Sequence, residues 1–209
     1  MFIEAILFDA DGVIQRPTAD RQARWTALVR GADATVVSRF KSDIFAVERP
    51  CHDGDGDFLL ALRDVLAKWN CADLYDDALR TWTAIEVDQL MVDLIATVKA
   101  SGVPCYLATN QEPYRARHMA EALNYRHVFD RLFFSCELGC SKPDLRYFTS
   151  IIAAAQLTPE RTLFIDDTEA NIMAAESVGM HAELFEAEPG THAVQEMRRI
   201  LSRHGMIVD

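Results

Sequence analysis

Ile3-Glu4-Ala5-Ile6-Leu7-Phe8-Asp9-Ala10-Asp11-Gly12 is the stretch on which the fold turns. An apolar run ends abruptly in two carboxylates and a glycine. A short apolar run bounded by turn residues reads as a buried strand. In extended backbone, residues two apart lie on one face, so Asp9 and Asp11 are expected to point the same way. Gly12 permits a tight turn and leaves backbone N–H groups free to face an anion. An acidic residue sits inside the run, no basic residue leads it, and no small-residue cleavage site follows. It does not read as a secretory signal.

Working outward, similar runs rich in β-branched and aromatic residues recur at 103–108, 131–135, 162–165 and 181–185. Helical spacing separates most of them. After Pro113, Ala116, Met119, Ala120 and Leu123 share a face. After Pro143, Phe148, Ile151, Ile152 and Ala155 do the same, and after Asp167 so do Ala170, Met173, Ala174 and Val178. Alternating strands and helices predict an α/β fold with a parallel, Rossmann-like sheet flanked by helices. One stretch breaks the rhythm. From about Gln15 to Asp88 no buried strand is evident, and the patterns at 23–29, 58–69 and 74–85 are helical. This predicts a helical insert after the first strand, roughly seventy residues long and of accessory-domain size. The division is a core of residues 1–15 and 89–209 and an insert of residues 16–88. A surface helix is expected at 191–204.

Functional residues of a parallel sheet gather at the carboxyl ends of its strands. The first strand ends in Asp9-Ala10-Asp11-Gly12, the second in Thr109-Asn110 and the fourth in Asp166-Asp167, while Ser141-Lys142-Pro143 follows soon after the third. Several carboxylates brought together repel one another unless a cation neutralises them. Oxygen ligands favour a hard cation, magnesium first. Of Asp9 and Asp11, one can attack while the other manages protons. Thr109 brings a hydroxyl, Asn110 an amide, and Lys142 a point charge for a phosphate or developing negative charge.

These segments resemble the four signatures of the haloacid dehalogenase-like superfamily, in order: Phe8 to Val13, then Ala108-Thr109-Asn110, then Lys142-Pro143, then Phe164 to Asp167. The insert is similar to the cap of the subfamily containing phosphoglycolate phosphatases, β-phosphoglucomutases and 2-haloacid dehalogenases. The resemblance implies magnesium-dependent hydrolysis of a small phosphorylated metabolite. Asp9 would be the nucleophile and Asp11 the general acid and base. Gly12, Thr109, Asn110 and Lys142 would bind the phosphoryl group, with Lys142 also holding Asp9. Asp9, the backbone carbonyl of Asp11, and Asp167 would bind the metal. Asp166 would share it or orient it, and Asn171, where the family often has another Asp, favours a direct share for Asp166. A phosphomutase and a metal-independent dehalogenase use the same nucleophile; the family's dehalogenases lack the acid found here as Asp11. A phospho-accepting signalling receiver is shorter, has no cap, and carries its paired acids near the first strand.

The chain has 209 residues and a net charge of −11. That charge disfavours nucleic-acid polymers and anionic lipid surfaces. No apolar run reaches the roughly eighteen residues of a membrane span. Five cysteines without a CxxC pair or zinc spacing suit free thiols in a reducing cytoplasm. A cytoplasmic monomer or homodimer is expected. Asp53-Gly54-Asp55-Gly56-Asp57 suggests a calcium loop, but Phe58 and Asp64 stand where such a loop needs Gly and Glu. A turn leading into a helix is the default. His52, Arg16, Arg21, Arg24, Trp25 and Trp82 lie in or beside the insert. Their basic and aromatic side chains suit a sugar or carboxylate, though ordinary helix surface and core explain them as simply.

Overall fold

The computed structural model describes residues 3–187 and 190–206. Met1 and Phe2, where the leader reading and the first core segment begin, lie outside the described residues, as do 207–209 at the end of the second.

The first strand, β1 (Ala5–Phe8), has all four residues buried. It reads as a continuous apolar run, not an alternating one, because helices cover both faces of the sheet. Next comes β2 (Gln15–Pro17), then four helices: α1 (Arg21–Leu28), α2 (Ala34–Glu48), α3 (Phe58–Lys68) and α4 (Tyr75–Trp82). The chain returns through β3 (Ile85–Val87) into α5 (Gln89–Ala100) and β4 (Cys105–Thr109). Then follow α6 (Pro113–Glu121), α7 (Tyr125–Val128), β5 (Arg131–Phe134), α8 (Ser135–Leu138) and α9 (Leu145–Ala155). The chain closes with β6 (Thr162–Asp166), α10 (Glu169–Ser177), β7 (His181–Leu184) and α11 (Thr191–Arg203).

Five strands form a parallel sheet in the order β5-β4-β1-β6-β7. From β1 the chain builds outward to one side through β4 and β5, then to the other through β6 and β7. The carboxyl ends of β1, β4 and β6 therefore meet where the winding direction reverses, the place such sheets bind ligands. Phe8 stands opposite both Leu107 and Ile165, so Asp9, Thr109 and Asp166 follow within two residues of one level. One apolar cluster, including Phe8, Leu94, Met119 and Met197, covers one face of the sheet. Another, including Phe148, Ile151 and Phe164, covers the other.

The helical insert has an apolar cluster of its own around Trp25, Phe40, Ile44, Leu62, Leu66 and Trp82. Its longest helix, α2, was not among the predicted patterns. Asp33 starts it by accepting from the backbone N–H groups of Thr35 and Val36. The acidic Asp53–Asp57 stretch ends likewise in a cap: Asp57 accepts from Leu59 and Leu60 N–H at the start of α3. Two short strands were also missed, since three residues show no periodicity. Gln15 pairs with Val87 and Pro17 with Ile85, so both chain crossings between sheet and insert run as one antiparallel ribbon.

One helix face differs from the reading. In α10 the buried residues are Asn171, Ile172, Ala174 and Ala175, while Met173 is 61% exposed. The helix is turned so that Asn171 faces inward. No helix among the described residues is long and apolar enough to cross a membrane.

Candidate active site

The sheet edge collects the acids as its register dictates. Asp9 and Asp166 are buried and Asp167 is exposed. Each offers a carboxylate oxygen within 4.8 Å of the others. The cation among them is Lys142, brought in by the loop before α9 and itself buried. Its Nζ donates to Asp166 Oδ2 at 2.6 Å and to the Ala108 carbonyl at 2.9 Å. It stands 2.8 Å from Asp9 Oδ1, an ion pair that is this buried oxygen's partner.

Three carboxylates around one ammonium leave surplus negative charge. Burial pushes Asp9 up to about 7 against the pull of Lys142, and the neighbouring Asp166 adds to the rise. Burial likewise raises Asp167, and Asp166 adds to it again. The arrangement fits a hard divalent cation: all donors are oxygens, they lie within reach of one ion, and the charge is uncompensated.

The two adjacent acids have different surroundings. Asp166 accepts from Lys142, from Thr168 N–H at 2.8 Å, and from Asn171 Nδ2 at 2.9 and 3.1 Å on its two oxygens. Its hydrogen-bonding capacity is spent inside the protein. Asn171, which stands where the family often has another Asp, donates to both oxygens of Asp166 and so anchors it. Among the described residues Asp167 accepts only the Thr168 hydroxyl on Oδ1, at 3.2 Å. Its Oδ2 lies beside Gly12, where a Cβ would stand 2.0 Å from it. Gly12 thus leaves room for this carboxylate, with a positive φ of 81°.

Asp11 faces a different set. It accepts from Gln15 Nε2 at 3.0 Å, Gln111 Nε2 at 2.8 Å and Arg115 at 2.7 Å. Burial pushes its carboxyl up, but the Arg115 guanidinium and the two amides outweigh that, holding it below the usual range. Thr109 is buried, and its hydroxyl accepts from Gln111 at 3.1 Å. Asn110 uses its side-chain amide on the neighbouring loop. That amide donates to the Lys142 carbonyl and accepts from the Lys142 N–H, both at 2.9 Å. It clasps the loop that carries Lys142.

Gln15, Gln111, Arg115 and Glu112 were not singled out from sequence. Glu112 starts α6, accepting from the N–H groups of Tyr114 and Arg115, and takes Trp82 Nε1 from the insert at 3.0 Å. The available signal was position: Gln111 directly follows Thr109-Asn110, and Arg115 lies in the first turn of a Pro-started helix.

The sequence profile of the haloacid dehalogenase-like hydrolases matches residues 3–179, and the chain belongs to that family. Over 102 residues it is 31% identical to the sesquiterpene phosphatase astK of Aspergillus oryzae, a match covering 48% of this chain and 52% of that protein. Over 123 residues it is 30% identical to a D-ribitol-5-phosphate phosphatase of Bacteroides thetaiotaomicron, covering 56% and 58% respectively. The chain thus spans little more than half the length of these curated relatives. Among solved structures it superposes on a HAD family enzyme of Bacteroides thetaiotaomicron in complex with magnesium and inorganic phosphate. The TM-score is 0.73 at 18% identity, over 92% of this chain and 98% of that one. At that identity the likeness establishes the fold.

Proposed function

We propose that the protein hydrolyses a small-molecule phosphate monoester with magnesium, through an aspartyl phosphate on Asp9. The observation that carries this reading is the surplus of carboxylate at the sheet edge, three acids against the single Lys142. The phosphatases among its relatives support it.

Asp9, the Asp11 carbonyl and Asp167 would hold the metal, with Asp166 keeping Lys142 and the turn into α10 in place. Bound magnesium would neutralise Asp9 and draw charge from the phosphoryl oxygens. An oxygen of Asp9 attacks phosphorus, and the bond to the leaving oxygen breaks. Asp11 gives that oxygen a proton. Water then attacks the aspartyl phosphate, Asp11 takes its proton, and the bond to Asp9 breaks. Lys142, the Thr109 hydroxyl and backbone N–H groups near Gly12 and Asn110 hold the phosphoryl oxygens. Asp11, paired with Arg115, is set up as the base; its acid role requires that pairing to loosen. The insert would act as a cap that excludes water. Unpaired thiols suit a reducing compartment, which supports a cytoplasmic placement.

The test is phosphate release from 4-nitrophenyl phosphate with magnesium and with chelator. Release is expected with magnesium only, and Asp9→Asn is expected to reduce it about a thousandfold or more with the fold intact by circular dichroism. Undiminished release in chelator or from the variant sinks the reading. Metal-free halide release from a 2-haloacid would instead indicate the dehalogenase.

A further inference from the structure

The insert carries a cation that the mechanism above does not use. Arg21, at the start of α1, has its guanidinium 5.8 Å from the ring centroids of both Trp25 and Trp82. Among the described residues no carboxylate lies within ion-pair distance of it, and its Nε is buried without an acceptor. Two ring faces at the long end of cation–π range attract the charge without neutralising it.

The carboxylates that face this region are already engaged. Asp11 pairs with Arg115, Glu48 with His52 Nε2 at 2.9 Å, and Glu112 with Trp82 and two backbone N–H groups. Across from Arg21, Arg115 also has a buried Nε with no acceptor. Burial lowers Arg21 to about 10, and the like charge of Arg115 adds to the drop, so it stays a cation at neutral pH. A partly desolvated cation with a buried N–H that lacks an acceptor is unfavourable until an anion arrives. Asp11, which pairs with Arg115 and whose charge also acts on Arg21, is the group assigned to the leaving oxygen. The unmatched cation therefore sits on the leaving-group side of the site.

We propose that Arg21, backed by Arg115, is a binding site for a second anionic group, so that the substrate is a phosphate monoester whose leaving group bears a carboxylate or a further phosphoryl. This rests on the phosphatase reading. Either anion matches the fork of donors on a guanidinium.

Two measurements test it. The first compares kcat/KM for ethylene glycol monophosphate, 2-phosphoglycolate and ethylene glycol bisphosphate. The wild type is expected to favour at least one doubly anionic ester over the neutral alcohol by about tenfold or more. The favoured arm tells carboxylate from phosphoryl. In Arg21→Gln that ratio is expected to fall close to one, and Arg21→Lys to restore part of it. Equal handling of all three by the wild type, or a ratio kept in Arg21→Gln, overturns the subsite.

The second needs no turnover. Asp9→Asn protein is titrated with 2-phosphoglycolate and with ethylene glycol bisphosphate, reading the fluorescence of Trp25 and Trp82 beside Arg21. A dissociation constant about tenfold weaker when Arg21→Gln is added supports the subsite. An unchanged one overturns it. Failure of the phosphatase reading appears separately, as no phosphate released from any of the three esters.

Discussion

At the scale of the residue, the site is a matter of which oxygens are spent and which are free. Asp166 and Asp167 are adjacent, yet the first is held by four hydrogen bonds and the second by one. The free oxygen of Asp167 depends on Gly12, where an added Cβ would collide with it. Gly12→Ala is therefore expected to raise the magnesium concentration needed for phosphate release. It should also lower stability by about 1–2 kcal/mol in urea unfolding, since alanine resists the left-handed region. Gly139→Ala is the control: it also has positive φ, at 70°, but nothing within 4 Å of the added carbon. It should carry the conformational cost and keep the magnesium dependence. Equal magnesium requirements in the two variants would show that Gly12 does not make room for a metal-holding Asp167.

At the scale of the element, two contacts decide how the pieces are held. Glu112 both caps α6 and takes the indole N–H of Trp82 from α4, so one buried side chain ties insert to core. Glu112→Ala is expected to destabilise the protein by about 2 kcal/mol, from a lost cap and a buried indole N–H left without an acceptor. Equilibrium denaturation measures it; a change below 0.5 kcal/mol would mean that water or a neighbour replaces the carboxylate. The second contact joins β7 to α11. Glu183 accepts from Arg203 and His204. Burial raises its carboxyl, but these partners outweigh burial and hold it below its ordinary value near 4.5. A depressed carboxyl adds stability above its unfolded pKa and loses it as pH falls through the folded one. Glu183→Gln should thus lower Tm at pH 7, with the gap to wild type closing below about pH 4.5. A gap that stays constant down to pH 3 would show that the ion pair is not its source.

At the scale of the whole molecule, a parallel sheet, its flanking helices and a helical insert enclose five thiols that form no disulfide. Burial pushes Cys105 and Cys136 up to about 12 and raises the other three. A thiol reagent at pH 8 should label the native protein slowly and all five sites promptly in denaturant; one fast native site would contradict the packing. The strands were legible because a doubly covered sheet demands unbroken apolar runs, and the residue leaving each run announces itself by its polarity. Asp9, Asp11, Thr109 and the Asp166-Asp167 pair could all be read that way, while Lys142 was read from its place just ahead of a proline-started helix. The ribbon of β2 and β3 could not, because three residues show no period. Nor could the inward turn of Asn171, which a polar bond to Asp166 set against the helix's apolar residues. Sequence by itself determined the order of the elements and the acids at the sheet edge, since these follow from local hydrophobic pattern. Only the tertiary structure decided that Asp166 is held by four hydrogen bonds and Asp167 by one, that Asn110 clasps a loop, and that Arg21 lies against two tryptophans with its Nε unpaired. Those outcomes depend on which donors arrive from distant segments, and no local pattern encodes that.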